Sequence, residues 1–386
     1  MALLENIGAG IVALSGVWIF CVALASRRFI QRHVFYLHKL PIWWGQRLDD
    51  PETFGFLRNQ VTPLRIPTTD GERLYAWLVS PLALYEKHET TFQKEDRKGD
   101  IKTKLAFKLL TDDPEAHLII YFHGNAGTVG QTRRTETYRM ISSGASSKIH
   151  VLAFDYRGFG KSTGTPTEQG LIADAISVID WARKEAGIPS TRILLLAQSL
   201  GTGLACAAAD HFISLEPKVP FAGIILCAAF PSATKAFQSY SVGGFLPLLA
   251  PLRLFPSLEA WFRRRIKDTW MTDERLVNIV RRSDRLRLTF IHATSDKVIP
   301  CRMSDELFYV AANVTTTAGL TRMEVEERKE VIDLGEGGWV NKWVSGDKII
   351  RKEIVKYGGH NGIMKWAPFS LAVLRNFELS GIEGQN

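Results

Sequence analysis

The chain has 386 residues, 46% of them apolar and 23% charged, with a formal net charge of +8. This composition is typical of a folded globular chain and excludes wholesale disorder, a collagen-like fibre and a small disulfide scaffold. The positive balance favours an anionic partner, either a nucleic acid or an acidic membrane surface. The four cysteines form no CxxC pair, so we expect neither a metal site nor a disulfide framework.

The amino terminus contains an uncharged run of 21 residues, 6–26, which Arg27 and Arg28 close. A helix of this length rises about 30 Å, which is the thickness of a bilayer core. We therefore predict a transmembrane anchor over residues 1–26. A cleaved signal peptide, with an A-x-A site at 23–25, and a buried helix are the alternatives. The residues before the run include an acid and no Lys or Arg, unlike a secretory n-region.

Residues 27–59 follow as a basic and aromatic segment. Its part 27–47 has five Arg and Lys, five aromatic residues and no acid, a mixture that suits the headgroup layer of a membrane. An ordinary basic linker is the alternative. Positive charge after the span favours a cytosolic domain, whereas the sequon Asn313-Val314-Thr315 favours a lumenal one, so the side of the membrane stays open.

Six apolar runs of β type alternate with helical stretches such as Thr167–Ala186 and Leu200–Ser214. The runs are His117–His123, His150–Tyr156, Arg192–Gln198, Phe221–Ala229, Leu286–His292 and Lys348–Val355. Several are almost continuously apolar, as parallel strands buried on both faces are. The alternation predicts the α/β class with a doubly wound, mostly parallel sheet.

Two segments interrupt this alternation. Residues 84–115 are rich in Lys, Glu and Asp, and we expect a long exposed loop there. Residues 231–285 are apolar with three prolines and then strongly basic, and they are too long for a simple crossover. We interpret them as a helical cap over the sheet.

A candidate nucleophile follows the third of these strands. Residues 192–203 read RILLLAQSLGTG, in which a strand runs directly into Ser199 and then into an Ala-rich helix. Ala197 and Gly201 supply the small flanking residues that a sharp strand-to-helix turn needs, so the pattern predicts a nucleophile elbow. The alternative is an incidental serine in a tight turn.

A serine needs a base to take its proton and a third group to orient that base. Asp296 follows the strand in LTFIHATSDKVIP, and His360 follows the last strand in VKYGGHN. Their order after Ser199, acid and then histidine, is that of a hydrolase built on such a sheet. We therefore predict the catalytic set Ser199, Asp296 and His360.

Other polar residues compete for these roles. Asp284 and Asp305 are rival acids, but they fall before or inside predicted elements. His292 lies within a strand and is interpreted as a core histidine. Asp155 precedes the nucleophile, so we interpret it as structural, and His123 as a residue that braces its loop.

The developing oxyanion needs two N–H donors. We assign the amide of Leu200, next to the nucleophile, and the amide of Asn125 in the loop HGNAG, with Ala126 as the alternative to Asn125.

The sequences HGNAG, FDYRGFGKS, AQSLGTG, SDKVIP and GGHN together resemble the α/β-hydrolase superfamily over residues 60–380. Within it, the apolar amino terminus, FPSLEAWF and the stretch 273–300 are similar to the membrane-anchored α/β-hydrolase-domain-containing protein 12 group. This resemblance implies a serine lipase for monoacylglycerols and lysophospholipids, notably lysophosphatidylserine, at the endoplasmic reticulum membrane. Asn361 fits the group, whereas residues 316–347 are longer than its usual stretch.

The predicted function is thus that of a membrane-anchored serine ester hydrolase (lipase) without a cofactor. A protein S-acyl thioesterase or a serine peptidase is the alternative, because the HGNAG loop also occurs in depalmitoylase-like relatives. A scaffold without activity is a third hypothesis, against which the complete set of catalytic residues argues.

The basic excess lies in two places. Residues 27–47 have five Arg and Lys and no acid. Residues 253–287 have ten Arg and Lys against five Asp and Glu. We therefore expect Arg263, Arg264 and Arg265 to contact the substrate or anionic membrane lipid, and we expect no binding of nucleic acid. Apolar cap residues are expected either to line an acyl groove or to pack the cap on the sheet: Phe245, Leu248 and Leu252.

Overall fold

The computed structural model describes residues 2–39, 46–145, 147–239, 251 and 254–379. Within these ranges, the side chains of 2–5, 7–12, 14, 25, 28, 34, 132 and 237–239 are not described. The predicted acyl-groove residues Phe245, Leu248 and Leu252 lie outside the described residues.

In the described ranges, ten strands form a single sheet. They are β1 Val61–Pro67, β2 Arg73–Val79, β3 His117–Phe122, β4 Ile149–Phe154, β5 Ile193–Gln198, β6 Gly223–Cys227, β7 Leu286–Ala293, β8 Glu330–Asp333, β9 Gly338–Ser345 and β10 Lys348–Val355. Their spatial order is β1-β2-β4-β3-β5-β6-β7-β10-β9-β8. The six central strands are parallel, and the outer ones pair antiparallel. The predicted mostly parallel α/β sheet is confirmed.

The six predicted strands are the six parallel ones. Their side chains are buried on both faces, which explains the continuous apolar runs, and β4, β5 and β6 are buried along their whole length. The pattern analysis missed the antiparallel strands at both edges. The outermost strand β8 is largely exposed and carries the pattern of a surface segment. Together β8 and β9 form a hairpin that occupies half of the additional stretch 316–347.

Helices lie on both faces of the sheet and at the amino terminus. The described helices are α1 Ala2–Ala25, α2 Arg28–Tyr36, α3 Leu82–Lys87, α4 Glu89–Lys94, α5 Leu105–Thr111, α6 Thr132–Ser143, α7 Glu168–Asp180, α8 Leu200–Ile213, α9 Ala233–Ser239, α10 Pro256–Arg263, α11 Thr272–Arg282, α12 Arg302–Asn313, α13 Arg322–Arg328, α14 Gly359–Gly362 and α15 Ala367–Asn376. Two hydrophobic cores, one on each side of the sheet, bury their apolar faces.

The prediction of an exposed loop over residues 84–115 was wrong. This segment contains most of α3, and the whole of α4 and α5, and it places Phe92, Phe107 and Leu110 in the core on one side of the sheet. Tyr85 stacks on Phe92 with ring centroids 4.9 Å apart. The charged residues occupy the outer faces of these short helices, so the composition of the segment concealed a few widely spaced core residues.

Within residues 231–285, which we predicted to form a cap, the described part contains the helices α9, α10 and α11. Its carboxyl-terminal part differs from the prediction, because α11 buries Leu276, Ile279 and Val280 in the main core rather than lying over the sheet.

At the amino terminus, Val22 of α1 packs against Phe262 of α10. Among the residues that the structure describes, no helix is both long enough and apolar enough to cross a bilayer.

Strand β4 lies on one side of β3, and the next strand in the chain, β5, lies on the other side. The order in which strands are added to the sheet therefore reverses between β3 and β5. In an open parallel sheet, ligands bind at the carboxyl ends of the strands at such a switch point. The loops after β3 and β5, with Asn125 and Ser199, therefore lie side by side.

Candidate active site

Ser199 stands at the turn from β5 into α8. Its φ is +51° and its ψ is −120°, a conformation that a residue with a side chain rarely adopts and that marks functional turns. The turn is held by a hydrogen bond from the Ser199 N–H to the Cys227 carbonyl oxygen at 2.9 Å. Gly201 is required here, because a Cβ at this position would overlap the carbonyl oxygen of Phe122.

Asp296 and His360 meet at the same edge of the sheet. Asp296 follows β7 and His360 lies in α14 after β10, and these two strands are parallel neighbours. The Nδ1 atom of His360 is 2.8 Å from Oδ2 of Asp296. Because an ionised carboxylate only accepts hydrogen bonds, Nδ1 carries the proton and Nε2 is left with a lone pair.

Asp296 is buried yet kept ionised by its neighbours. Burial raises its pKa, but hydrogen bonds from His292 and His360 and the N–H of Ile299 outweigh this effect and hold the pKa well below its usual range. The N–H groups of Val298 and Ile299 donate to Oδ1 at 2.8 and 2.9 Å. Charge-assisted bonds of this kind fix the carboxylate toward His360.

His292 is a buried strand residue, as the sequence analysis interpreted it. Its Nε2 donates to the Ile299 carbonyl oxygen at 2.9 Å and lies 3.3 Å from Oδ2 of Asp296. Its Nδ1 lies 2.7 Å from the Ser304 hydroxyl. The two rival acids are engaged elsewhere, since Asp305 pairs with Lys352 and the exposed Asp284 with Lys218.

The loop that carries His360 is attached to the nucleophile's strand by Gln198. Its side-chain Nε2 donates to the carbonyl oxygen of His360 and to Oδ1 of Asn361, both at 3.0 Å. The residue before Ser199 therefore holds the main chain of the candidate base.

The carbonyl oxygens of the HGNAG loop after β3 are hydrogen-bonded to one arginine side chain. The Arg134 guanidinium, buried on α6, donates to the carbonyl oxygens of Gly124, Asn125 and Ala126 at 2.9, 3.2 and 2.6 Å and to that of Thr128 at 2.7 Å. With its carbonyls turned to Arg134, the loop can present N–H groups elsewhere.

Of the two amides considered for this loop, Ala126 is already engaged. Its N–H donates to the Tyr36 carbonyl oxygen at 3.1 Å and to Oδ1 of Asn125 at 2.9 Å. No described residue accepts a hydrogen bond from the N–H of Asn125 or from that of Leu200 in the first turn of α8. The geometry thus favours Asn125 over Ala126 as a donor.

His123 and Asp155 lie beneath the loop and are fully buried. His123 donates from Nδ1 to the Gly124 carbonyl oxygen at 2.7 Å and stacks on Tyr156. Asp155 accepts from the N–H of Val129 at 2.7 Å, and burial raises its pKa to about 7. These contacts are those of residues that brace a loop.

The candidate catalytic residues border a cavity of about 780 Å³, which is lined by Ser199, Leu200, Asn125 and His360. Its remaining walls include apolar side chains from the amino-terminal segment, the cap and the loops after β7 and β10: Ile30, Phe35, Leu37, Phe230, Phe262, Ile266, Val298, Ile299 and Met364. A mainly apolar cleft with a few converging polar groups is the usual form of a small-molecule site.

The three cap arginines do not line this cavity. Arg263 pairs with Glu259 at 2.7 Å, Arg265 lies over the Trp261 ring at 3.8 Å, and all three are exposed. Their predicted role as substrate contacts is therefore unsupported, and only the predicted contact with lipid headgroups is compatible with their position.

No sequence pattern indicated a role for Tyr36, Arg134 or Gln198 in the site. Gln198 occupies the variable position of the elbow pattern, and Arg134 belongs to a polar helix without a distinctive pattern. Tyr36 was noted only as one of several membrane-proximal aromatic residues. Only the proximity of Gln198 to Ser199 could have indicated a role, because the partners of all three lie far along the chain or in main-chain atoms.

Comparisons with known proteins identify the fold of the chain. A family model described as the alpha/beta hydrolase fold matches residues 117–266. An alpha-beta hydrolase from Vibrio vulnificus superposes with a TM-score of 0.55 at 14% identity, over 92% of this chain and 94% of that one. The protein therefore has the α/β-hydrolase fold.

Two curated relatives narrow the resemblance. Lysophosphatidylserine lipase ABHD12 of Bos taurus is 32% identical over 198 residues, which are 50% of this chain and 45% of that protein. Protein ABHD12B of Homo sapiens is 34% identical over 200 residues, 51% of this chain and 50% of that protein. The predicted resemblance to the ABHD12 group is confirmed, and the match spans about half the length of these relatives.

Proposed function

We propose that this protein is a serine ester hydrolase for single-chain lipids such as lysophospholipids and monoacylglycerols. The observation that carries the proposal is the convergence of Ser199, His360, Asn125 and Leu200 on one largely apolar cavity, where no described residue accepts from the amides of Asn125 and Leu200. The similarity to a lysophosphatidylserine lipase supports the same substrate class.

In the first half of the reaction, Ser199 Oγ attacks the ester carbonyl carbon and its proton passes to Nε2 of His360. Asp296 stabilises the imidazolium through Nδ1. The carbonyl oxygen becomes an oxyanion that accepts hydrogen bonds from the Asn125 and Leu200 amides. The intermediate then collapses, the C–O bond to the alcohol breaks, and the alcohol leaves with the proton from His360.

In the second half, water attacks the acyl-enzyme and gives one proton to His360. The second tetrahedral intermediate uses the same two amides. Its collapse breaks the bond to Ser199 Oγ, which regains a proton from His360, and releases the fatty acid. The residues present perform every step of this cycle without a cofactor.

The apolar walls of the cavity support an acyl chain as the group that is bound. Each buried CH₂ contributes about 0.8 kcal/mol of transfer free energy, so a chain seated there is held without polar contacts. Polar residues that include Gln131, Arg133 and Lys365 line another part of the cavity and can face a headgroup.

We also propose that the amino-terminal segment anchors the enzyme in a membrane, with the endoplasmic reticulum as the membrane that the resemblance implies. The uncharged run 6–26 and its basic flank support this, as do the exposed side chains of Val17, Phe20 and Phe29, which are 61%, 63% and 66% accessible. Leu254, in the predicted cap, is 77% accessible and supports the same membrane contact.

A fluorophosphonate probe tests the nucleophile directly. The wild type should be labelled and Ser199→Ala should not. Ser177→Ala, which removes another buried hydroxyl on α7, is the matched control and should be labelled like the wild type. Equal labelling of the wild type and Ser199→Ala would refute the assignment.

The substrate class needs a separate comparison of lysophosphatidylserine, a monoacylglycerol and a palmitoyl thioester. We expect Ser199-dependent release of fatty acid from the two esters. Turnover of the thioester alone would replace the lipase proposal with a protein S-acyl thioesterase.

A further inference from the structure

Helix α2 ends directly against the HGNAG loop. The last carbonyl groups of a helix have no partner within the helix. Here the Tyr36 carbonyl oxygen accepts from the Ala126 N–H at 3.1 Å, and the Phe35 carbonyl oxygen accepts from Nδ2 of Asn125. The same Asn125 side chain accepts from the Ala126 N–H through Oδ1. The amino-terminal segment thus satisfies its own helix end with the loop that carries the proposed oxyanion donor.

These bonds restrict which way the loop's peptide groups can face. The Ala126 N–H and the Asn125 side chain are engaged by α2, and the carbonyl groups face Arg134 on the opposite side. The Asn125 N–H has no acceptor among the described residues, and Asn125 lines the cavity. The two supports together fix the loop at the edge of the cavity where this amide lies.

The opposite side of α2 is attached to the cap. The Tyr36 side chain is fully buried, and its hydroxyl donates to Oδ2 of Asp268 at 2.7 Å. Burial and the neighbouring Asp268 raise the pKa of Tyr36, so the hydroxyl stays a donor. Gln31 donates to the Arg265 carbonyl oxygen at 3.1 Å, and Asp268 itself lines the cavity. Helix α2 therefore bridges the cap and the oxyanion loop.

We infer that Tyr36 is a positioning residue for the reaction, which holds α2 so that the Asn125 amide faces the oxyanion. This inference rests on the proposed function, because it concerns an interaction made in the transition state. A donor displaced from its position weakens the transition state more than the ground state. The segment that precedes the hydrolase fold would then be part of its catalytic machinery and not only an anchor.

Tyr36→Phe removes the hydroxyl and leaves the ring and the main chain in place. We expect kcat on a short water-soluble ester to fall about tenfold with KM changed less than about twofold, since loss of a complete oxyanion donor costs about 100-fold or more. The rate of fluorophosphonate labelling should fall in parallel. Tyr309→Phe is the control and should keep wild-type kcat, because it also removes a tyrosine hydrogen bond, to the Leu320 carbonyl oxygen, and neither residue lines the cavity.

A double-variant cycle separates positioning from general weakening of the fold. Asn125→Ala keeps the amide N–H but loses both side-chain bonds, one to the Phe35 carbonyl oxygen of α2 and one from the Ala126 N–H. Because Tyr36 and Asn125 act on the same amide, the kcat of the double variant should lie within about twofold of the kcat of Asn125→Ala alone. Losses that multiply would overturn the inference.

The remaining outcomes are also decisive. If Tyr36→Phe shows no cooperative melting transition, Asn125→Ala alone carries the test, and a change in KM without a change in kcat refutes the inference. If Tyr36→Phe keeps the kcat of Tyr309→Phe while labelling depends on Ser199, only the inference fails. If the wild type shows no Ser199-dependent labelling, the proposed function fails and the inference falls with it.

Discussion

The Gln198 side chain donates a 3.0 Å hydrogen bond to the carbonyl oxygen of His360, across 162 positions of the chain. Ser199 and its candidate base are therefore connected through the residue next to the nucleophile. A change in the packing of β5 would be transmitted to the histidine loop by this bond.

Replacing Gln198 by Met removes this bond and keeps the length of the side chain. The carbonyl oxygen of the half-buried His360 and Oδ1 of the exposed Asn361 then lose a donor, so the loop that carries the candidate base loses this attachment to β5. We expect kcat to fall about tenfold with KM nearly unchanged, because the base moves relative to Ser199. Asn361→Ala, which leaves the bond to His360 intact, should lose less. Equal kcat losses in the two variants would contradict this role.

Arg134 is expected to support catalysis without contact to the scissile bond. Arg134→Lys keeps the charge but cannot reach all four carbonyl oxygens, so the HGNAG loop should loosen and kcat should fall about tenfold. Arg139→Lys is the control, because this arginine lies on the same helix and donates to the carbonyl oxygens of Phe54 and Gly55 without lining the cavity. A similar kcat in both variants would assign Arg134 a purely structural role.

Asp155 predicts a pH dependence of stability. Burial raises its folded pKa to about 7, so between about 4 and 7 the native state binds more protons than the unfolded chain. Its contribution to the free energy of unfolding is complete below the unfolded pKa and is lost as the pH rises toward 7, by about 1.4 kcal/mol per pH unit. Asp155→Asn should remove this slope from denaturant titrations at pH 4–7. An unchanged slope would place the pKa of Asp155 in its ordinary range.

Exposed arginines of the cap test the proposed membrane contact. Neutralising Arg263, Arg264 and Arg265 to Gln should reduce activity on vesicles with acidic lipid more than on neutral vesicles, since each basic residue near an anionic surface contributes about 1 kcal/mol. Arg281 and Arg282 on α11, changed to Gln, give a control of the same chemistry. An identical loss on both kinds of vesicle would leave these arginines as ordinary solvated surface.

Local patterns in the amino-acid sequence were sufficient to predict the central strands, the elbow around Ser199 and the order of Asp296 and His360. Each of these rests on a local pattern: a continuous apolar run for a strand buried on both faces, or a polar residue directly after such a run. Parallel strands bring their carboxyl ends to one edge, so local patterns were sufficient to predict a site. The same reasoning failed for residues 84–115, where Phe92 and Phe107 are too widely spaced among charges to show a period.

The groups that hold the site in place are recognisable only in the folded chain. The hydroxyl of Tyr36 donates to Asp268, 232 positions further along the chain, and the end of α2 accepts a hydrogen bond from the HGNAG loop. Arg134 acts through main-chain carbonyl oxygens, which every residue has, so no pattern of side chains distinguishes its partners. Supporting contacts of this kind depend on which surfaces the folded chain brings together, and that juxtaposition has no period or spacing in the sequence.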